Sequence, residues 1–156
     1  MTLTIDLGCG SYCRGDVGVD VNFKWKNPYH RPEFFDKLTH GKVKDPDLVL
    51  ADLNYPLPFR DKAFDRAFLV HVIEHLYRPY ELLKEIHRIL KDNGELIIIC
   101  PNAKVSFADW NDDTHLISFT EPTLRRFVSL VFKHVEVKVL EESPYCRQDL
   151  YCKAKK

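Results

Sequence analysis

The chain lacks most of what would mark a secreted, membrane-spanning or nucleic-acid-coating protein. It has no net charge, with 23 Lys and Arg against 23 Asp and Glu, so no global field draws it to nucleic acid or to an anionic membrane. No apolar run approaches the roughly 20 residues needed to cross a bilayer, and the opening stretch already carries Asp6, Arg14 and Asp16, which a signal peptide would not tolerate. A cytoplasmic protein with no membrane partner is expected. Cysteines are few and odd in number, and Cys9, Cys13, Cys100, Cys146 and Cys152 contain no Cys-x-x-Cys pair. That argues against a disulfide framework or a zinc knuckle and for free thiols. Internal repeats and low-complexity segments are also missing. With 156 residues, a single domain over 1–156 is expected, too short for a cofactor fold plus a separate substrate domain.

What is present is an alternation of short apolar runs with longer segments of helical period, the pattern of an α/β protein with a mostly parallel sheet. Strands are predicted at 3–7, 17–21, 48–53, 64–70 and 95–100. The second starts six residues after Gly8-Cys9-Gly10, a gap too short for a full crossover helix. A helix at 32–40, with Phe34, Phe35 and Leu38 on one face and Gly41 as its stop, is placed to pack where that crossover would have been. A short helix at 73–76 precedes a stronger one at 79–91, which Asn93-Gly94 ends. Thr120 is placed to cap a further helix that turns Leu124, Phe127, Val128 and Val131 inward. Val135, Val137 and Val139 alternate with Glu136 and Lys138 as in a half-exposed strand, with which 149–154 can pair.

Chemistry first appears where the first strand breaks into Gly8-Cys9-Gly10 and the second ends at Asp20. Glycines let a ligand approach the backbone, and a carboxylate closing the next strand can accept hydrogen bonds from both hydroxyls of a ribose. A dinucleotide fingerprint needs a third glycine and a helix N-terminus facing a pyrophosphate. Here Tyr12 follows the turn, Arg14 falls out of frame and the helix has no room. A nucleoside without a pyrophosphate is the expected ligand, and a nicotinamide-dependent dehydrogenase is disfavoured.

At these residues the chain resembles the class I S-adenosylmethionine-dependent methyltransferases, particularly their type 11 branch. Asp6-Leu7-Gly8-Cys9-Gly10 is similar to the family's first motif, Gly18-Val19-Asp20-Val21 to its ribose-binding strand, and Ala51-Asp52-Leu53 to its adenine-contacting turn. His71-Val72-Ile73-Glu74-His75-Leu76, the run from Glu85 to Leu96, Pro101-Asn102 and His115-Leu116-Ile117-Ser118-Phe119-Thr120 follow in the family's order and spacing. The resemblance implies a Rossmann-like methyltransferase fold of about seven strands, with a C-terminal antiparallel hairpin and the first crossover helix reduced.

It also implies S-adenosylmethionine as cofactor and roles at the matching positions. Asp6, Gly8 and Gly10 would shape the pocket for the methionine portion, and Asp20, with Val21 beside it, would bind the ribose. Asp52 would meet the adenine amino group, Leu53 would pack beside that ring, and Val70 and His71 would border the sulfonium. Tyr12 stands where the family usually has a small residue, so the methionine end is where this chain departs most from the pattern.

Methyl transfer from a sulfonium needs mostly positioning, and a base only where the acceptor carries a proton. His71, His75 and His115 are the catalytic candidates, because imidazole titrates in the useful range. His71 and His75 lie four apart, a spacing that can hold a metal, yet the sequence offers no evident third ligand and no metal is expected.

The methyl acceptor is not encoded. A protein side chain is slightly favoured over a small molecule, and nucleic acid is disfavoured despite the aromatic and basic run from Phe23 to Arg31. Trp110 reads equally as a loop anchor and as an acceptor wall. A thinly covered sheet face suggests a homodimer or an acceptor protein over it. The rival function is a module that binds S-adenosylmethionine without turnover and acts by interaction.

Overall fold

A computed structural model of the chain describes residues 2–24, 32–39, 41–105, 112–141 and 148–156. Seven strands form one sheet: β1 (Thr4–Leu7), β2 (Val17–Asp20), β3 (Asp47–Leu50), β4 (Phe64–Val70), β5 (Leu90–Pro101), β6 (Lys133–Glu141) and β7 (Gln148–Lys155). Their order across the sheet is β3-β2-β1-β4-β5-β7-β6. Strands β1 to β5 are parallel, and β7 runs antiparallel between β5 and β6. The Rossmann-like sheet and C-terminal hairpin expected from the sequence are therefore observed.

Two consequences of this order position the site. The chain leaves β1 toward β2 and β3 on one side and later builds β4 and β5 on the other, so the topological switch point, where sheets of this kind bind ligands, lies at the carboxyl ends of β1 and β4. Because β7 is reversed, its first residues arrive at the same rim, where Asp149 lies opposite Pro101 of β5.

The helices among the described residues are α1 (Pro32–Thr39), α2 (Pro79–Ile89) and α3 (Glu121–Val128), with a 3-10 turn at Ile73–His75. Proline opens α2 where its missing N–H goes unused. That helix buries Leu82, Leu83, Ile86 and Ile89 in one core with Ile5, Leu7, Ala67, Leu69, Leu96 and Ile98 of the sheet. Each such aliphatic side chain contributes ~2 kcal/mol. The Thr120 cap is observed, with the Thr120 N–H donating to Thr123 Oγ1 at 2.8 Å. Leu124 and Val128 are buried below it, and Phe127 and Val131 are partly so.

Strand alternation turns Phe68, Ile97 and Ile99 to the other face, where they are also buried. No helix joins β1 to β2. Instead α1, with Phe35 and Thr39 fully buried, lies against the connecting segment: Tyr12 donates from its hydroxyl to both Asp36 oxygens at 3.0 Å. The side chain of Phe34, assigned to the same inward face by periodicity, lies outside the described part.

The largest boundary shifts are at the end of β3, at the end of α2, which stops at Ile89 and not at 91, and at the start of β5, which takes in Asn93-Gly94. Strand β3 ends at Leu50, not at residue 53, because Asp52 starts a turn in which its Oδ1 accepts the Asn54 N–H at 2.9 Å and its carbonyl accepts the Tyr55 N–H at 3.1 Å. Strand β5 starts at Leu90, directly after α2. Its pairing with β4 then jumps from Phe64↔Leu90 to Arg66↔Glu95, and Asn93 takes φ 63° within that bulge. No described helix is long and apolar enough to cross a membrane.

Candidate functional site

The rim begins with backbone. Gly8 and Gly10 adopt φ 77° and 54°, a region glycine enters without steric cost. A Cβ on Gly8 would stand 2.4 Å from Val72 Cγ2, so the turn also needs the missing side chain for space. The Gly8 N–H donates to the Val19 carbonyl at 2.7 Å and the Gly10 N–H to Asp20 Oδ2 at 2.8 Å. These bonds tie the turn after β1 to the end of β2. The other Asp20 oxygen accepts the Asn22 N–H at 2.8 Å. Val21 is exposed beside it, while Asp52 stands exposed beyond β3 with Leu53 buried at the turn.

Below the turn, Asp6 is almost fully buried on β1 and accepts the Arg14 N–H at 2.7 Å. Burial outweighs the opposing pull of Arg14 and raises its pKa from 3.8 to about 6. Sequence reasoning set Arg14 aside as out of frame, yet its guanidinium lies 3.9 Å from Asp6 and stacks 4.8 Å from the Tyr12 ring centre. It is 5 % exposed, and its Nε and Nη2 have no hydrogen-bond partner. Buried donors of this kind await an acceptor. Cys9 and Cys13 pack their sulfurs against the hydrogen of Gly18, where a Cβ would meet them at 2.9 and 2.8 Å. Both are free thiols, as are Cys100 and Cys152; Cys146 lies outside the described residues.

The other half of the rim is made of side chains. Val70 ends β4, and His71 follows with φ 53°, a left-handed backbone held by its N–H to the Ile99 carbonyl at 2.8 Å. Its ring lies between two buried carboxyl groups, with Nε2 3.2 Å from Asp149 and Nδ1 3.4 Å from Glu74. The Phe35 ring packs at 5.6 Å. Burial opposes its charged form, but Asp149 first and then Glu74 prevail and raise its pKa to about 10. His71 therefore carries its proton at neutral pH.

His75 and His115 do not join His71 in a row. Their rings meet each other, with centres 4.7 Å apart, and each has an oxygen partner in the 112–114 segment. Asp149 and Glu74 were missed as site residues in the sequence. Asp149 had no signal there, because its placement depends on the direction of β7, whereas the run from His71 to Leu76 did contain Glu74. The Trp110 loop and residues 25–31 of the basic run lie outside the described residues.

Residues 17–98, over half of the chain, match the model of a family described as a methyltransferase domain. The chain belongs to this methyltransferase-domain family. An uncharacterised protein of Methanocaldococcus jannaschii is 31 % identical over 100 residues, a match covering 64 % of this chain and 41 % of that protein. The domain thus spans less than half of that relative. A SAM-dependent methyltransferase from Archaeoglobus fulgidus superposes with a TM-score of 0.68 at 22 % identity, over 98 % of this chain and 85 % of that one. The complex between the Haloferax volcanii Trm112 methyltransferase activator and a methyltransferase gives 0.69 at 15 % identity, over 99 % and 82 %.

The cofactor of the methyltransferase domain is S-adenosylmethionine, and the rim's chemistry fits it. Its amino-acid end is a zwitterion, and the site offers Asp6 beside the unpartnered Arg14 nitrogens. Its ribose could be held by Asp20, whose oxygens each retain an acceptor position after the Gly10 and Asn22 bonds. Asp52 and Leu53 could meet the adenine.

Proposed function

We propose that this domain transfers a methyl group from S-adenosylmethionine to an acceptor carried on a protein. The observation that carries the reading is the glycine turn after β1 tied by the Gly10 N–H to Asp20 at the end of β2. When bound, the cofactor supplies a methyl on positively charged sulfur, already activated toward in-line displacement. Asp6 takes the methionine ammonium and Arg14 the carboxylate; Asp20 with Val21 holds the ribose, and Asp52 with Leu53 the adenine. Val70 and His71 border the sulfonium. His71, already protonated, orients groups at the rim and does not accept a proton. His75 and His115 are the imidazoles left to take one where the acceptor carries it.

Among the described residues, a short 3-10 turn after β4 and no helix after β1 give the rim little wall, which suits an acceptor brought on a larger surface. Calorimetric titration with S-adenosylmethionine and with a nicotinamide dinucleotide tests the cofactor: one-to-one binding of the first alone is expected, and binding of the second alone would overturn the reading. A labelled-methyl screen over proteins, nucleic acids and small molecules tests the rest. Binding without transfer in any class would make the domain an interaction module.

The partner surface we propose is the free edge at β3. Leu48 and Leu50 point to the same side there, 52 % and 72 % exposed, with Val21 nearby at 62 %. An unpaired edge strand with apolar side chains invites another chain, and the structurally similar Haloferax methyltransferase is complexed with an activator protein. A Leu50→Lys variant should lose co-purifying partner or, if the partner is a second copy, sediment as a monomer; unchanged association would remove this edge from consideration.

A further inference from the structure

We infer that Glu74, His75 and His115 form a binding site for a divalent transition cation of the Zn2+ kind. One ligand atom from each lies within 4.8 Å of the others. Bonds of about 2.1 Å would bring such atoms to roughly 3–3.5 Å apart, a closure that small side-chain rotations supply.

The second observation is Glu74 itself. Its side chain is 1 % exposed, and neither carboxylate oxygen has a hydrogen-bond partner. The nearest ring nitrogens, His71 Nδ1 at 3.4 Å and His75 Nε2 at 4.0 Å, stand beyond hydrogen-bonding reach or at its limit. His71 faces it as an ion-pair partner from 3.4 Å but makes no short bond to it, and a cation between the carboxylate and the imidazoles of His75 and His115 would supply the close contacts that a buried carboxylate needs.

The surroundings prepare both histidines as ligands. His75 Nδ1 lies 3.1 Å from the Thr114 carbonyl and can donate its proton there, which leaves Nε2 unprotonated on the side of Glu74. His115 Nε2 lies 3.5 Å from Asp112, and Asp112 Oδ1 in turn accepts the Thr114 N–H at 2.9 Å and its hydroxyl at 2.6 Å. Carboxylate and carbonyl partners behind ligating imidazoles fix the tautomer and the ring direction. The Glu74 carbonyl also accepts the Leu116 and Ile117 N–H groups, at 2.8 and 3.2 Å, and so clamps the 112–117 segment beside the 3-10 turn.

Two imidazoles and one carboxylate favour a borderline transition cation over Mg2+ or Ca2+, which prefer all-oxygen shells. Three protein ligands also leave a coordination position open. A cation here would hold the lone pairs of both imidazoles, which turns His75 and His115 from proton acceptors into ligands. The site stands without the methyl-transfer reading, since binding of the cation is measured directly.

The test is titration of the chelator-stripped chain with Zn2+, Mg2+ and Co2+ salts alone. One Zn2+ per chain is expected with no competition from Mg2+, and His75→Ala, His115→Ala and Glu74→Gln should each weaken it at least about tenfold, Asp112→Asn by about that much. Circular dichroism identifies any variant that fails to fold, and Asp112→Asn, on the exposed loop, keeps the test open if Glu74→Gln does. The Co2+ complex should show weak d–d bands without intense thiolate charge transfer. No stoichiometric Zn2+, thiolate bands pointing to Cys9 and Cys13, or affinity unchanged in both histidine variants would overturn the inference.

Discussion

On the β1–β2 side, the carboxyl rim is a backbone structure: a glycine turn, its amides and two aspartates within a stretch of fifteen residues, from Asp6 to Asp20. On the β4–β5–β7 side it is a side-chain structure, in which the half-buried His71 meets the buried Glu74 and Asp149 across 78 residues. The first needs space and a left-handed backbone; the second needs charges to stay paired. The difference teaches where each half is vulnerable, and substitutions should separate them.

The largest expected effect is on the side-chain half. Asp149→Ala removes the main partner of a protonated, mostly buried His71 and should cost ~4 kcal/mol of unfolding free energy in chemical denaturation. A loss under about 1 kcal/mol would show that charge pairing does not hold this half together. On the backbone half, Gly8→Ala meets both a positive φ and the Val72 methyl groups, at ~3 kcal/mol. Adding Val72→Ala should relieve the clash but not the backbone strain, so only part of the stability should return.

Asp6 gives a loss of similar size that appears with pH. Its carboxyl ionises near 3.8 in the unfolded chain and near 6 in the folded one, so between those values the folded state alone keeps the proton. Its contribution is fully present below about pH 4 and is lost as pH rises through 6, by ~3 kcal/mol. Asp6→Asn should flatten that part of the stability profile; the same slope in the variant would trace it to another group.

Smaller still, Asp20→Ala should weaken S-adenosylmethionine about tenfold in calorimetry, ~1.4 kcal/mol, by removing the acceptor for ribose and for the Gly10 amide. An unchanged affinity would mean that the β1–β2 clasp does not hold the ribose. Leu50→Lys, on neither half, should change stability by no more than about 0.5 kcal/mol, which makes it the clean probe of the β3 edge.

Legibility follows the same division. Strand β4 was readable to its ends, because Phe64 and the apolar residues Ala67 to Val70 lie between the polar Asp61-Lys62 and His71, and the glycine turn with Asp20 was readable because its parts are close in sequence. Strand β3 was read too long, since the apolar Leu53 is buried in a turn and not in a strand. Arg14 was passed over because the missing crossover helix makes its frame meaningless until Asp6 is seen beside it. His75 was matched in the sequence with His71, four residues away, but pairs in space with His115, forty residues on.

By itself, then, the sequence determined the α/β class, the strand-turn-strand clasp and the family, because each is carried by local periodicity or by residues in contiguous runs. Only the tertiary structure decided that Asp149 reaches His71, that Glu74 is buried without a hydrogen-bonding partner, and that His115 stands against His75. Those meetings depend on the reversed direction of β7 and on a loop clamped to the Glu74 carbonyl. Strand direction and loop docking are set by packing between distant segments, which no local pattern encodes.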